Sequence, residues 1–186
     1  MIRDAAAGPI SPTIGQPNAS PDSTSTMDKT LLLQQVLTHL QADLEQAHQA
    51  ALSAHETATH EENVAENKYD TLGLEAAYLA SGQARRVEEL RQTLITWRQL
   101  RLRPFDENQG VELGALVQLL DAHDQVRWLF LGPQGASMKL QHAGQTIQVL
   151  GSAAPLGRAL LGKVPGDQIS VPMAGAAQDF EVLSVE

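Results

Sequence analysis

The stretch Ala58–Asp70, ATHEENVAENKYD, interrupts two long apolar repeats and loads the interruption with carboxylates. Before it, Leu33, Leu37, Leu40, Leu44, Ala47, Ala51, Ala54 and Ala58 alternate four and three residues apart. After it, Tyr69, Gly73, Ala76, Ala80, Gln83, Val87, Leu90, Leu94 and Trp97 do the same. A repeat of this kind is the seam of a coiled coil. Two seams joined by so short a connection fold back on each other as an antiparallel helical hairpin. The first helix is predicted from about Asp28 to Ala58, with Asp28 or Thr30 accepting from the unpaired amides of the first turn. The second is predicted from near Glu62 to near Arg101, because Pro104 cannot continue it and disfavours helix at Arg103. Thirty-odd helical residues make a rod on the order of 45 Å long.

The seam changes along the rod. Leu, Val and Trp fill the base; Ala and Gly fill the far half. Small seam residues let helices approach closely and bury little area, so the far half is thin and the base supplies most of the stability. An ordinary Ala-rich hairpin and a rod shaped to enter a narrow opening both fit this composition. Charge also segregates. Between His55 and Glu75 stand Glu56, Glu61, Glu62, Glu66, Asp70 and Glu75 against Lys68. Between Arg85 and Arg103 stand Arg85, Arg86, Arg91, Arg98, Arg101 and Arg103 against Glu88 and Glu89. Helix-dipole complementarity accounts for Glu61 and Glu62, but not for Glu56 at the end of the first helix. The arginines read either as a solvated helix face or as a contact for RNA or an acidic surface. Leu72, Leu74, Tyr78 and Leu79 fall outside the seam; they either widen the hairpin's own apolar face or dock against a partner.

The whole chain sets the bounds. It has 186 residues and a net charge of −9, room for one or two small domains. With no cysteine, disulfides and thiolate metal sites are excluded, in keeping with a reducing cytoplasm. No apolar run approaches the roughly 20 residues of a membrane span, and no secretory signal opens the sequence. So acidic a chain is a poor general ligand for nucleic acid. Residues 1–27, rich in Ala, Gly, Pro, Ser and Thr, read as a disordered tail. His48, His55 and His60 read as solvated side chains, and Gly132-Pro133-Gln134-Gly135 as a turn.

After Pro104 the texture shifts. FDENQG, within 104–110, is a turn-rich linker. Short apolar runs follow at Val111–Leu120, Val126–Leu131, Thr146–Leu150, Gln168–Val171 and Phe180–Val185, separated by turn signals. Val126, Trp128 and Phe130 alternate with Arg127 and Leu129, as in a strand with one buried face. A short helix is predicted over Pro155–Leu161, with proline in its first turn and Gly162 as a left-handed cap. The sum is a small α+β domain, mostly antiparallel.

The segment from Ser152 to Asp167, S-x-x-P-L-G-R-A-L-L-G-K-x-x-G-D, resembles the C-terminal domain of the GreA/GreB transcript-cleavage factors, and Val111–Asp121 resembles the strand that opens that domain. In this family the domain follows an antiparallel coiled coil with an acidic tip, which Glu66-Asn67 and Tyr69 resemble. The resemblance implies a fold of two parts: an N-terminal coiled-coil hairpin over 28–103 and, over 111–186, an FKBP-like antiparallel β domain with one short helix. It implies bacterial RNA polymerase as partner, with the domain at the rim of the secondary channel and the hairpin reaching down it toward the 3′ end of backtracked RNA. Pro155, Leu156, Gly157 and Arg158 are the implied polymerase contacts. Glu62 and Glu66 are the candidate tip acids, with Glu61, Asn63, Asn67 and Tyr69 as tip contacts. Such acids help hold a magnesium ion in the polymerase's own two-metal site; the chain would carry no cofactor or metal of its own and would not be an enzyme by itself.

The tip departs from the family pattern, which is Asp, two residues, Glu-Asn, with Tyr four after the Glu. Anchored on Glu66-Asn67, the Asp position holds Asn63; anchored on Tyr69, Glu62 takes that position and Ala65 takes the Glu position. Glu62 and Glu66 would still lie one helical turn apart. A channel occupant that regulates or inhibits without cleaving is therefore the alternative to a cleavage stimulator. An FKBP-like folding helper and a generic coiled-coil adaptor are the remaining readings. The expected protein is cytoplasmic and monomeric, does not touch membranes and reads no DNA sequence.

Overall fold

The computed structural model describes residues 28–59, 71–173 and 176–186. The chain forms a helical hairpin followed by a six-stranded sheet with one short helix, the α+β arrangement expected. Helix α1 spans Lys29–Thr59 and α2 spans Thr71–Arg98. Asp28 is the residue that caps α1: its Oδ1 accepts from the amides of Thr30 at 2.8 Å and Leu31 at 3.4 Å. Helix α2 stops at Arg98, a turn before the expected end, through amides of Gln99 and Leu100 bonded to Thr96 and Trp97 carbonyls.

The seam sits where the periodicity puts it. Leu40, Ala47 and Ala54 are buried on α1, with Leu33, Leu37, Leu44 and Ala51 half-buried beside them. On α2 the buried side chains include Val87, Leu90, Leu94 and Trp97, with Gly73 buried toward the far end. The stripe on α1 is wider at the base than a two-helix seam requires. Leu32 and Val36 are fully buried and join a core that includes Phe130, Leu140, Ile147 and Val149 of the sheet. They face a third layer that a two-helix repeat does not reveal.

The strands are β1 (Leu116–Asp121), β2 (Val126–Gly132), β3 (Met138–His142), β4 (Gln145–Gly151), β5 (Gln168–Met173) and β6 (Ala176–Val185), with α3 (Pro155–Leu160) between β4 and β5. Their order is β3-β4-β2-β1-β6-β5. Neighbours run antiparallel except β2 and β4, which are parallel. Strand β3 was not expected, because only Met138 and Leu140 mark its apolar face. It is held by a two-residue turn in which Ala143 (φ 50°) and Gly144 (φ 77°) both take positive φ, the geometry that suits a tight hairpin. The run at Val111 does not begin a strand. Gly114 (φ 91°) breaks it, and Val111 instead exchanges backbone hydrogen bonds with Gly162 and Lys163 beyond α3.

The sheet is buried on both faces. Phe130 and Leu116 face the hairpin base; Leu129, Leu131, Val117 and Leu119 face a second core with Leu160, Ile169, Val171, Phe180 and Val182. Strand β2 thus has two apolar faces over its second half, not one. Trp97, fully buried, joins hairpin to sheet. Its ring lies 6.2 Å from that of Phe130, and a Cβ at Gly132 would collide with its indole.

Asp121, at the end of β1, is buried and closes the β1–β2 turn. Its Oδ1 accepts from the amides of His123 and Gln125, and its Oδ2 from Arg127 at 2.6 and 3.0 Å. The Gln125 amide first, then the His123 amide and the Arg127 guanidinium, hold its carboxyl below the usual aspartate range against the opposing effect of desolvation.

Two outcomes follow from this packing. Trp97→Ala is expected to destabilise by about 3–5 kcal/mol in urea unfolding. Gly132→Ala is expected to cost about 1–3 kcal/mol in the parent and markedly less beside Trp97→Ala; an equal cost in both backgrounds would mean the indole is not the obstacle. For Asp121 the folded pKa is depressed, so its contribution is present above the unfolded value and lost as pH falls through the folded one. The Tm gap between parent and Asp121→Asn should hold from pH 7 to about 5 and shrink below about 4. A gap that persisted unchanged to about pH 3 would rule out the carboxylate as its source.

Candidate functional site

The end of the hairpin is where sequence places the chemistry. Glu61, Glu62, Asn63, Glu66, Asn67 and Tyr69 all lie outside the described residues. What leads up to that end is described. On the far half of the rod Ala47, Ala54 and Gly73 are buried, while Ala51, Ala76 and Ala80 are half-buried. The helices there meet through methyl groups and backbone, so the rod narrows as it leaves the sheet. Glu56 and Glu75 are exposed on it.

The apolar residues outside the seam do not widen the hairpin's buried face. Tyr78 is 76% exposed and Leu79 57%, with Leu74 and, on α1, Leu52 also largely in water. Leu74 and Tyr78 are four apart on α2 and so share one helix face. The side chain of Leu72 is outside the described residues. Of the two readings the spacing allowed, the structure leaves this surface uncovered.

Nearer the base, α2 carries its charge in local pairs. Arg85 and Arg86 both reach Glu89, and Arg91 meets Glu88 at 2.7 Å. Hydrogen bonds from Gln92, then Arg91, hold the Glu88 carboxyl below its usual range. These are exposed pairs three and four residues apart on one helix, so water screens them and they add little to stability.

The segment Pro155–Arg158 forms the first turn of α3. Its four residues differ in exposure. Leu156 packs into the second core, and Gly157 is buried where a Cβ would strike the Gly151 carbonyl. Pro155 and Arg158 are exposed. Gly162 (φ 74°) takes the left-handed conformation after the helix, as its position suggested.

One junction had no signal in the periodicity. Lys29 Nζ donates to the Arg103 carbonyl at 2.7 Å, 74 residues away in sequence, tying the start of α1 to the segment that leaves α2. Burial lowers the Lys29 pKa, and the Glu186 charge partly opposes that. Among the described residues no three His, Asp or Glu side chains gather as a metal site, and no helix is long and apolar enough to cross a membrane.

Residues 106–186 match the family model described as transcription elongation factor, GreA/GreB, C-term. The chain is 35% identical over 77 residues to transcription elongation factor GreA of Acidiphilium cryptum, covering 40% of this chain and 45% of that one. It is 33% identical over 78 residues to GreA of Agrobacterium fabrum, covering 41% and 45%. The match thus spans less than half the length of these relatives. Among solved structures, Gfh1 of Thermus aquaticus aligns over 81% of this chain and 94% of its own, at 25% identity and a TM-score of 0.35. The GreA factor homolog Gfh1 of Thermus thermophilus aligns over the same shares at 17% identity, also with a TM-score of 0.35. Over residues 106–186 the chain is similar to the C-terminal domain of the GreA/GreB transcription elongation factors.

Proposed function

We propose that this protein is a transcription elongation factor that binds bacterial RNA polymerase and inserts its hairpin into the secondary channel. The observation that carries the reading is the GreA/GreB C-terminal domain over 106–186, joined through a shared core to a long hairpin. The geometry supports it further. A rod of 31 and 28 helical residues, thinned by Ala and Gly toward its far end, suits a narrow opening. Because Trp97 and the Leu32–Val36 face pack directly against the sheet, anchoring the domain at the channel rim would aim the rod without a flexible joint.

In this reading Pro155 and Arg158 present the exposed part of α3 to the polymerase, while Leu156 and Gly157 hold α3 in place. Glu62 and Glu66 would bring carboxylate oxygens to the polymerase's magnesium site; such oxygens suit a hard cation and can orient a water for attack on backtracked RNA. The bond-breaking machinery remains the polymerase's. The protein acts as a monomer in the cytoplasm, since its seam is satisfied within one chain. A second reading is favoured by the tip sequence, in which neither alignment keeps both family acids: a channel occupant that regulates without stimulating cleavage.

Cleavage of 3′ RNA in a defined backtracked complex tests this. Stimulation by the parent, lost in Glu62→Ala/Glu66→Ala, supports delivery of magnesium ligands. No stimulation, with competition against a cleavage-active GreA, supports the regulatory occupant. A result with no stimulation and no competition would overturn the polymerase reading. The exposed patch gives a separate check. Tyr78→Ala should leave unfolding stability within about 0.5 kcal/mol of the parent, whereas Leu40→Ala should cost about 2–5 kcal/mol. If Tyr78 meets the channel wall, Tyr78→Ala weakens polymerase binding several-fold; equal binding would leave that residue without a role.

A further inference from the structure

The arginine-rich stretch divides into two halves according to what its cations face. On α2, Arg85 and Arg86 share Glu89 and Arg91 pairs with Glu88, whereas Arg98 in the last turn is exposed and has no ion pair among the described residues. Past the helix, burial alternates from residue to residue. Leu100 and Leu102 pack against the core shared by hairpin and sheet, while Arg101 and Arg103 are exposed. Arg101 and Arg103 line the same cleft. Arg101 has no ion pair among the described residues. Arg103 reaches only Glu112, at 3.8 Å, with both side chains well into water. Lys29 grips the Arg103 carbonyl, so the backbone that carries the two arginines is held in place.

The two arginines stand at a cleft of about 420 Å³ that Gln99, Glu112, Leu113 and Pro133 also line. Leu113 is 39% exposed there, an apolar surface beside two cations. We propose that this cleft docks a short acidic segment of a partner protein, one that alternates Asp or Glu with an apolar side chain. Each part of the cleft matches such an occupant. The guanidinium fork pairs with carboxylates in two parallel hydrogen bonds. Leu113, exposed above the buried Pro133, accepts an apolar side chain between the acids. Glu112 already occupies the carboxylate role from within, through a long, exposed contact that an incoming acid can displace.

Nucleic acid fits less well. A phosphate backbone needs a long run of unpaired cations, and here the run is confined to Arg98, Arg101 and Arg103, since Glu88 and Glu89 pair with the arginines farther up α2. The net charge of −9 also opposes a polyanion at long range. The site lies at the base of the hairpin and is tested without polymerase, so its failure would leave the channel reading standing.

The full chain is titrated by ¹H–¹⁵N NMR with a capped five-residue peptide alternating Asp and Leu, and with its Asn counterpart. Binding should shift amides of residues 99–103 and 112–113 only with the acidic peptide. Arg101→Glu/Arg103→Glu should weaken it at least about tenfold. Glu112→Gln should strengthen it about two- to fivefold, the worth of one exposed ion pair. Arg85→Glu/Arg86→Glu should leave it unchanged. The proposal is overturned by no binding, by equal binding of the Asn peptide, by indifference to the charge reversal, or by tighter binding of a five-nucleotide thymidine oligomer.

Discussion

Everything beyond the sheet depends on how Trp97 is seated. Its indole fills the space that a side chain at Gly132 would take and leans on Phe130. One aromatic near the end of α2 thereby fixes the hairpin's position on strand β2. The arrangement accepts a cost. The Trp97 Nε1 is buried and has no hydrogen-bond partner among the described residues, which is worth about 1–3 kcal/mol of lost solvation. Burying a whole indole outweighs that, since large aromatics dominate core energetics. A tryptophan here gives up a hydrogen bond to gain contact area, as expected where the task is to hold two layers in one orientation.

That seating explains why the base of α1 is richer in Leu and Val than its far half. Leu32, Val36, Leu40 and Ala47 belong to the core that hairpin and sheet share, whereas Ala54 lies outside it. Replacing Leu by Ala across a seam gives up about 0.8 kcal/mol for each CH₂ no longer buried. The far half thus adds little tertiary stabilisation of its own. Long helices nucleate poorly in isolation, so it borrows its order from the base by propagation. The rod is thin over its far half and thick where it joins the sheet.

The hairpin was legible in the sequence because its signal is local and repetitive. The seam at Leu40, Ala47, Ala54, Val87, Leu90, Leu94 and Trp97 follows from spacing alone. Leu32 and Val36 were not legible as core, because the surface they meet is more than ninety residues away in the chain. Strand β3 escaped because a five-residue edge strand with Met138 and Leu140 carries too little pattern to stand out. The parallel pairing of β2 with β4 is likewise a property of topology, which strand-by-strand alternation does not encode. The implied α3 contacts divided for a related reason: a motif names residues without saying which of them the fold consumes, and Leu156 and Gly157 are consumed.

Charge was legible in amount but not in availability. The count of six arginines between Arg85 and Arg103 suggested one basic surface, yet three of them share the two carboxylates of Glu88 and Glu89. Spacings of three and four residues could have revealed this, since such pairs face each other on any helix. The status of Arg101 and Arg103 could not be read that way. They lie past the last helical turn, where no periodicity assigns a neighbour, and their setting is made by Leu113 and Pro133 from other segments. An exposed cation is a general solvation feature when its partner sits one turn away on the same helix. It becomes a recognition feature when the backbone beneath it is pinned and an apolar surface stands beside it. In this chain the second condition is met where the helix ends and Lys29 holds the chain to α1.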